Sequence, residues 1–262
     1  MSRDLEGKRA LVTGASRGIG RSTALRLAKA GAEVAINFVT NESAARSVAS
    51  EIQAMGGKSL LIKADVSEES DIAQMMAALQ DHWGSLDILI SNAASGGFRS
   101  LMAATSRNFD AAMHTNVRAL VLLVQAAMPL LLINKDNSND RTNRKIVALS
   151  SHGSHRALPD YALIGASKAA LESLIRHMAL EFGPKGMNFN CLLAGLVQTD
   201  STRGLPQADK AYEQSNARML IGAGKVLRPE DVANVVHFLV SPASDLVQGQ
   251  VLTVDGGVGL QL

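Results

Sequence analysis

The feature that most constrains this chain is a glycine-rich segment between an apolar strand and a helix near the N-terminus. Residues 9–13 (RALVT) have the composition of a buried strand, and a helical pattern of leucines and alanines follows Gly20. Gly14 and Gly18 lie between them. Glycines permit a tight turn and the close approach of another group, and a helix N-terminus attracts an anion. This unit therefore predicts a loop that cradles a phosphate group.

The rest of the chain repeats the alternation of strand and helix. Predicted strands lie at 9–13, 33–38, 58–63, 86–91, 145–150, 187–193 and 249–254, and helices begin near Gly18, Asn41, Glu68, Ser106, Pro159 and Pro229. A chain of 262 residues that is 47% apolar is long enough for one well-buried domain. We therefore expect an α/β fold over residues 1–262: a single doubly wound parallel sheet of the Rossmann type, with about seven strands and helices on both faces.

Composition excludes several other classes of protein. The net charge is +2 and the basic residues are scattered, which argues against a nucleic-acid partner. No uninterrupted apolar stretch reaches the roughly 18 residues that span a bilayer, and the charged N-terminus does not resemble a signal peptide, so we expect a soluble, cytoplasmic protein. Cys191, the only cysteine, lies in an apolar strand and is expected to be a core residue. The six histidines lack metal-ligand spacing, and no metal is predicted.

Six motifs in the same order resemble those of the short-chain dehydrogenase/reductase family, and the resemblance covers essentially the whole chain. The glycine spacing is Gly-x3-Gly-x-Gly directly after Thr13, and Val254-Asp255-Gly256-Gly257 resembles the family's C-terminal signature. Asn116 and Ser151 occupy the positions of the family's catalytic asparagine and serine. The resemblance, joined by the charge argument below, implies that a nicotinamide dinucleotide contacts Gly14, Ser16, Arg17, Gly18, Ile19, Gly20, Asn37, Asp65, Val66, Asn92, Ala93, Tyr161, Lys168, Gly195, Val197 and Thr199.

One departure from that family pattern bears on the reaction. Carbonyl reductases of the family place a tyrosine four residues before the catalytic lysine, but before Lys168 that position is Ile164, and Tyr161 lies three residues earlier. A Tyr-x6-Lys spacing resembles the enoyl acyl-carrier-protein reductases. The segments 92–96 (NAASG), 150–154 (SSHGS) and 167–172 (SKAALE) are most similar to the bacterial NADPH-dependent type known as enoyl reductase III.

The spacing also has a chemical reason. Pro159 suits the first turn of a helix, and seven residues make nearly two turns, so Tyr161 and Lys168 are expected on one helical face about 10 Å apart. Reduction of an enoyl thioester sends hydride to the β-carbon, and the negative charge develops on the thioester oxygen. We expect Tyr161 to stabilise that oxyanion, with Lys168 holding the ribose and favouring ionisation of the phenol. Ser151 is a second hydroxyl donor, and Asn116 belongs to a proton path.

The choice of nicotinamide cofactor is a question of charge. An acidic residue at the end of the second strand would bind the ribose of NAD and repel a 2′-phosphate. That position is the neutral Asn37, and Arg17 resembles the family's 2′-phosphate contact. Both features favour NADPH over NADH, whereas Glu42 nearby is unfavourable to a phosphate.

The sequence also gives expectations for a substrate lid, a surface loop, the substrate and the oligomeric state. Residues 200–225 are expected to form a substrate lid, in which Met219, Leu220 and Ile221 either line an acyl pocket or pack on the core. The polar run 134–145 predicts a mobile surface loop. The substrate is an enoyl thioester on coenzyme A or on an acidic acyl carrier protein, which Arg99, Arg107, Arg203 and Arg218 are candidates to dock. The resemblance also implies a homotetramer that pairs long helices near 108–132 and 159–182.

Three functions remain open on the sequence alone. The first is reduction of trans-2-enoyl thioesters with NADPH in fatty acid or polyketide synthesis. The second is carbonyl or alcohol oxidoreduction on the same scaffold, with Tyr161 brought into place by a local helix shift. The third is a non-catalytic NADP-binding sensor, against which the joint presence of Asn116, Ser151, Tyr161 and Lys168 argues.

Overall fold

A seven-stranded sheet forms the centre of the molecule. The computed structural model describes residues 3–132, 144–205, 207–221 and 225–260. The strands are β1 (Arg9–Val12), β2 (Glu33–Phe38), β3 (Ser59–Lys63), β4 (Ile88–Ser91), β5 (Arg144–Ser151), β6 (Met187–Ala194) and β7 (Val251–Val254). The helices are α1 (Gly18–Lys29), α2 (Glu42–Ala54), α3 (Glu69–Trp83), α4 (Ser106–Met113), α5 (Ala119–Leu131), α6 (Ala162–Phe182), α7 (Ala208–Ala217) and α8 (Pro229–Val240).

All neighbouring strands are parallel, in the order β3-β2-β1-β4-β5-β6-β7. The order reverses between β1 and β4, so the crossovers that follow these two strands diverge and leave a crevice at their carboxyl ends. The loops after β1 and β4 both open into this crevice. The predicted doubly wound α/β fold is confirmed, and the sheet places the glycine loop at the position where such folds bind ligands.

Two hydrophobic cores cover the two faces of the sheet. One contains apolar side chains of α1, α2 and α8, among them Leu27, Ile52 and Val236. The other contains side chains of α3, α5 and α6, among them Met75 and Leu123. Because both faces are covered, the middle of each central strand is apolar, as in residues 146–149 of β5, which is why the strands are readable as apolar runs.

Local signals in the sequence set several helix ends. Asn41 caps α2 by accepting a hydrogen bond from the Ala44 N–H at 3.0 Å, and Pro229 opens α8. Gly84 ends α3 in the left-handed conformation, with φ of 69°. These starts lie within one residue of the predicted ones.

The longest helical segment runs from Ser106 to Leu131 and includes a π-helical turn, His114–Arg118, between α4 and α5. By length and composition this segment could cross a membrane. Seven of its α5 residues are nevertheless buried in the protein, and they pack in the second core. We therefore describe it as a core helix.

The start of α6 differs from the prediction. The sequence placed it near Pro159 with Tyr161 inside the helix, but α6 begins at Ala162 and Tyr161 is its N-cap. Asp160 has φ of 57°, which interrupts a helix, and its carbonyl accepts a hydrogen bond from the Arg99 N–H at 2.9 Å. A contact with the loop after β4 thus sets the turn. The prediction that Tyr161 and Lys168 lie two turns apart on one helix is wrong.

Smaller differences occur at the strand ends. β4 and β7 each begin two residues later than predicted, and β5 begins one residue earlier, at Arg144. The predicted polar surface run therefore ends inside the sheet, because Lys145 is buried and donates to Asp245 Oδ1 at 2.6 Å. Burial lowers the pKa of this lysine, and Asp245 opposes that effect. Residues 134–143 of the run lie outside the described residues.

Candidate active site

The glycine loop after β1 leaves no room for side chains. Gly14 and Gly18 have φ of 62° and 56°, the left-handed region that favours glycine. A Cβ at Gly20 would lie 2.3 Å from the Gly14 carbonyl oxygen and 2.5 Å from Asn92 Nδ2. Ile19 packs against the first core, so its backbone rather than its side chain faces the loop. The backbone N–H groups at the start of α1 are thus free of obstruction, as a pyrophosphate requires.

Thr13 and Asn92 join the glycine loop to β4. Thr13 Oγ1 accepts hydrogen bonds from the N–H groups of Asn92 and Ala93, at 2.9 and 3.0 Å. The Asn92 side chain donates to the carbonyl oxygens of Thr13 and Gly14, at 2.8 and 3.2 Å. Asn92 was predicted as a cofactor contact, but its amide group is used to hold the loop. In this structure Asn92 supports the loop, and its predicted contact with a cofactor stays a prediction.

Asn37 also supports the loop from within the protein. Its side chain is buried, its Oδ1 accepts from the Gly14 N–H at 3.2 Å, and its Nδ2 donates to the Ala64 carbonyl oxygen at 2.9 Å. The Asn37 side chain is thus engaged within the protein, and the predicted contact of Asn37 with a cofactor stays a prediction. The two residues that follow β2, Val39 and Thr40, are exposed.

Arg17 and Asp65 occupy the two flanks of the loop. Arg17 is exposed, and its guanidinium lies 4.0 Å from the carboxylate of Asp200, which also pairs with Arg203 at 3.3 Å. Asp65 Oδ1 accepts from the N–H and the hydroxyl of Ser67, at 2.9 and 2.7 Å, while Val66 is buried. Arg17 is therefore accessible to a phosphate, although it faces an acidic neighbour in this state.

The hydroxyl groups of Ser151 and Tyr161 form the centre of the site. Ser151 ends β5, Tyr161 precedes α6, and their oxygens are 3.0 Å apart. The ring of Tyr161 stacks on Phe98, with centroids 5.8 Å apart. Burial raises the pKa of Tyr161, and the hydrogen bond with Ser151 opposes this. The phenol therefore keeps its proton at neutral pH and can donate a hydrogen bond, which is what an oxyanion requires.

Lys168 is buried on α6 and does not act on Tyr161 as predicted. Its ammonium group donates to the Leu149 carbonyl oxygen at 2.6 Å. Burial lowers the pKa of Lys168 to about 8, while the charges of Cys191 and Glu172 oppose the shift. The predicted lowering of the Tyr161 pKa by Lys168 is wrong for this structure, in which that pKa is raised. A role for Lys168 in holding a ribose hydroxyl stays a prediction.

Asn116 lies in the π-helical turn between α4 and α5. Its Oδ1 accepts from the Ser95 N–H at 2.9 Å, and its Nδ2 donates to the Ser95 carbonyl oxygen and to Ser167 Oγ, at 2.9 and 2.8 Å. These bonds tie the loop after β4 to α6. The extra residue of a π turn re-aims a side chain, and such turns occur frequently at functional sites. Its place in a proton path stays a prediction.

Ile164, four residues before Lys168, is buried and apolar. Its side chain packs against Gly96, where a Cβ would approach Ile164 Cγ1 to 2.4 Å. No proton donor is therefore present at the position that carbonyl reductases of the resembled family use. The phenol of Tyr161 lies beside Ser151 instead, and its role as donor stays a prediction.

Gly195, Val197 and Thr199 follow β6 and lead into the predicted lid. A Cβ at Gly18 would lie 3.3 Å from Thr199 Cγ2, so this segment borders the glycine loop. Thr202 Oγ1 donates to the Val197 carbonyl oxygen and accepts from the hydroxyl of Tyr212 in α7. Val197 is buried and Thr199 half-buried, and their predicted contacts with the cofactor stay predictions.

The three apolar residues predicted to line an acyl pocket or to pack on the core differ in their exposure to solvent. Met219 is half-buried and packs on Gly256, whereas Leu220 and Ile221 are 54% and 76% exposed. Other exposed apolar side chains flank the Tyr161 segment and the loop that carries Phe98: Leu101, Met102 and Leu158. Exposed apolar side chains therefore lie near Phe98 and Tyr161 in the chain, and Leu220 and Ile221 are too exposed to line a closed pocket.

Sequence reasoning missed two side chains beside the hydroxyl pair. Glu172 accepts a hydrogen bond from Ser150, and His152 Nε2 lies 2.9 Å from Asp255 Oδ2. Nothing local in the sequence predicts a contact of His152 with Asp255, which lies more than 100 positions away.

Cys191 is a core residue, as predicted. It is buried in β6, and burial, with the charge of Glu172, raises the pKa of its thiol to about 12. Such a thiol carries almost no thiolate at neutral pH and is a poor nucleophile. Among the described residues there is no group of three histidine, cysteine, aspartate or glutamate side chains arranged to hold a metal.

Comparison with known proteins assigns the chain to a family. A family model described as enoyl-(acyl carrier protein) reductase matches residues 14–259. The chain is 36% identical over 256 residues to 1-cyclohexenylcarbonyl-CoA reductase of Streptomyces collinus, covering 95% of this chain and 86% of that protein. It is 34% identical over 261 residues to versicolorin reductase 1 of Dothistroma septosporum, covering 97% and 96% of the two chains.

Solved structures show the same relationship. The fold matches a short-chain dehydrogenase from Burkholderia cenocepacia in complex with NADP, with a TM-score of 0.86, 33% identity and coverage of 97% and 99% of the two chains. It also matches a short-chain dehydrogenase/reductase from Mycobacterium marinum, with a TM-score of 0.86, 29% identity and coverage of 98% and 97%. The chain therefore belongs to the short-chain dehydrogenase/reductase family of NAD(P)-dependent oxidoreductases.

Proposed function

We propose that this protein reduces the C=C bond of trans-2-enoyl thioesters with NADPH. The observation that carries the proposal is the position of the phenol: Tyr161 lies outside α6, seven residues before Lys168, with its hydroxyl 3.0 Å from Ser151. The position four residues before the lysine is the buried Ile164. A donor displaced in this way suits the thioester oxygen, which lies three bonds from the carbon that receives hydride, two more than in carbonyl reduction.

The residues present fit a dinucleotide. Gly14, Gly18 and Gly20 leave space that side chains would fill, and α1 begins at that loop. The bound cofactor would supply hydride to the β-carbon of the substrate. Arg17 is accessible to a 2′-phosphate and Asn37 is neutral, which supports NADPH. The structure of the relative from Burkholderia is a complex with NADP, which also favours NADPH as the cofactor of this chain.

The protein side chains would stabilise charge rather than react covalently. As hydride adds to the β-carbon, electron density moves through the α-carbon to the thioester oxygen. Tyr161 and Ser151 donate hydrogen bonds to that oxygen, and a proton from solvent then completes the saturated product at the α-carbon. Phe98 fixes the plane of the Tyr161 ring, so the phenol needs little reorganisation.

Two comparisons support a thioester substrate. The matching family model is described as enoyl-(acyl carrier protein) reductase. The relative from Streptomyces collinus is named for a CoA thioester with a ring double bond next to its carbonyl group. The exposed apolar side chains near Phe98 and Tyr161 in the chain, Leu101, Met102 and Leu158, are suited to an acyl group. Exposed arginines, among them Arg99, Arg107 and Arg218, would attract the phosphates of coenzyme A or an acidic carrier protein.

Assembly and location belong to the same proposal. The segment 106–131 and α6 carry exposed apolar side chains, including Phe109 and Leu180, which a homotetramer would cover. We place the enzyme in the cytoplasm, where fatty acid synthesis consumes NADPH.

Carbonyl reduction is the second candidate. The hydroxyl groups of Ser151 and Tyr161 would also be able to donate hydrogen bonds to the oxygen of a ketone. One structural relative, with 31% identity and a TM-score of 0.86, is described as catalysing keto-reduction.

The test compares the two reactions directly. NADPH oxidation is followed with crotonyl and acetoacetyl thioesters of coenzyme A and of carrier protein, side by side, and with NADH in place of NADPH. We expect turnover of the crotonyl thioester and a preference for NADPH. Turnover of the acetoacetyl thioester alone would assign the site to carbonyl reduction.

A further inference from the structure

The end of the lid rests on the turn that follows β7. The N–H groups of Leu220 and Ile221 donate to the Gly256 carbonyl oxygen, at 2.8 and 3.2 Å. A Cβ at Gly256 would lie 2.5 Å from Met219 Cε, and one at Gly257 would lie 3.0 Å from Leu220. The two glycines thus form a flat platform that the segment 219–221 can approach closely. We call residues 255–257 the platform and residues 207–221 the lid.

Asp255 holds the platform together. Its Oδ1 accepts from the Gly257 N–H at 2.8 Å, and its Oδ2 accepts from the Gly259 N–H at 2.7 Å. The Asp255 side chain is 8% exposed. Gly195 packs closely against it, since a Cβ at Gly195 would lie 2.8 Å from the Asp255 Cβ. A buried carboxylate with both oxygens bound to its own turn fixes the shape of that turn.

His152 connects this platform to the catalytic turn. It follows Ser151 directly, its side chain is 15% exposed, and its Nε2 lies 2.9 Å from Asp255 Oδ2. Two lone pairs at that distance would repel, so Nε2 carries a proton. Both ring nitrogens are buried and neither has a hydrogen-bond partner among the described residues, because the Nε2–H is not aligned with Asp255 Oδ2; the contact is chiefly electrostatic. The charged or titratable groups that act on the ring are Asp255, His155 and Arg156.

We propose that His152 is a positioning residue, which locks the platform and thereby the end of the lid to the turn that carries Ser151. Through this contact the lid is held at a fixed place relative to the hydroxyl groups of Ser151 and Tyr161. Burial lowers the pKa of His152, so the neutral ring is the form that makes this contact at neutral pH. The effect on substrate binding rests on the proposed function, whereas the locking of the lid does not.

The first test measures hydrogen exchange in the cofactor-free protein, which requires no catalysis. His152→Leu removes the N–H that faces Asp255 while keeping an apolar side chain of similar size. We expect amide exchange in peptides covering 212–221 to accelerate about tenfold, because the lid loses its tie to the β5 end. Exchange in the strands of the sheet should stay unchanged.

Two further variants make the test specific. His152→Gln keeps an N–H donor that can reach Asp255, and it should retain exchange within about threefold of the parent. His237→Leu is the control. His237 Nε2 lies 3.0 Å from Asp4 Oδ1 and its side chain is 13% exposed, so this pair resembles that of His152 and Asp255 but involves neither the platform nor the lid. This control should leave the exchange of 212–221 at the parent rate.

The kinetic test separates binding from chemistry. If the enoyl reduction proposed above holds, His152→Leu should raise the KM for the thioester about tenfold and leave kcat within about threefold, because Ser151 and Tyr161 remain in place. Unchanged exchange in His152→Leu would overturn the proposal, and so would equal acceleration in His237→Leu. Should His152→Leu fold poorly, His152→Asn takes its place, because its amide is too short to reach Asp255, and the same outcomes apply.

Discussion

Two side chains, the half-buried Tyr161 and the buried Lys168, carry the polar chemistry at the centre of the site, and burial affects both. It raises the pKa of the phenol and lowers that of the ammonium group to about 8, so in each case it favours the neutral form. The sequence predicted both residues. It did not predict their partners, Ser151 for the phenol and the Leu149 carbonyl for the lysine, because these depend on how β5 meets α6.

Removing the phenolic hydroxyl should affect the reaction more than cofactor binding. Tyr161→Phe deletes one of two donors to the developing oxyanion, so we expect kcat/KM for crotonyl thioester to fall by about 10²–10³. The Kd for NADPH, measured by fluorescence titration, should change little. Tyr212→Phe is the matched control, because it removes a hydroxyl that bonds to Thr202 instead, and it should stay within about fivefold of the parent. A Tyr161→Phe enzyme as active as the control would remove Tyr161 from the mechanism.

Lys168 should make folding stability depend on pH. An unfolded lysine keeps its proton up to about 10.5, whereas the folded protein releases it near 8, so the free energy of unfolding should rise between these pH values. Below pH 8 the buried charge costs on the order of 3 kcal/mol. Lys168→Met should therefore be more stable than the parent at pH 7, and this advantage should shrink towards pH 10.5. Urea unfolding of both proteins across this range measures it, and a constant difference would contradict the burial argument.

At the scale of elements, the strands were predictable and one helix start was not. The strands are readable as apolar runs because both faces of the sheet are covered, and every predicted strand lies within two residues of its observed bounds. The start of α6 depends on the left-handed Asp160 and its bond with Arg99, which lies 61 positions away, so no local pattern reports it. The π turn at Asn116 depends on Ser95 and Ser167 in the same way.

The glycine loop gives the sharpest prediction at this scale. Gly20→Ala would place a Cβ 2.3 Å from the Gly14 carbonyl oxygen, so the loop must move and cofactor binding should be lost. The parent should gain about 2.7 kcal/mol of stability at 100 times the Kd of NADPH, seen as a rise in Tm. Gly20→Ala should show no such rise.

Gly56→Ala is the control for backbone strain. Gly56 has φ of 76°, and no heavy atom lies within 4 Å of the point that a Cβ would occupy, so the substitution costs about 1 kcal/mol without touching the loop. Its Tm should fall, but NADPH should still raise it by as much as in the parent. Equal loss of the NADPH effect in both variants would show that general destabilisation is responsible.

At the scale of the whole molecule, the sheet order brings distant segments to one edge. The ends of β1, β4, β5 and β6 carry the glycine loop, the Asn92 segment, Ser151 and the Thr199 segment, and all of these meet at the carboxyl edge. The sequence predicted this convergence, because motifs that follow successive parallel strands must lie on the same side. It could not predict the contact of His152 with Asp255, since that depends on the register of β6 and β7.

The most direct test of the account follows the hydride itself. Crotonyl and acetoacetyl thioesters are each reduced with NADPH deuterated at the nicotinamide C4, and the products are analysed by NMR. We expect a saturated thioester from the crotonyl substrate, with deuterium at the β-carbon. Deuterium found only in a hydroxy product of the acetoacetyl substrate, with the crotonyl thioester unchanged, would contradict it and assign Tyr161 to carbonyl reduction.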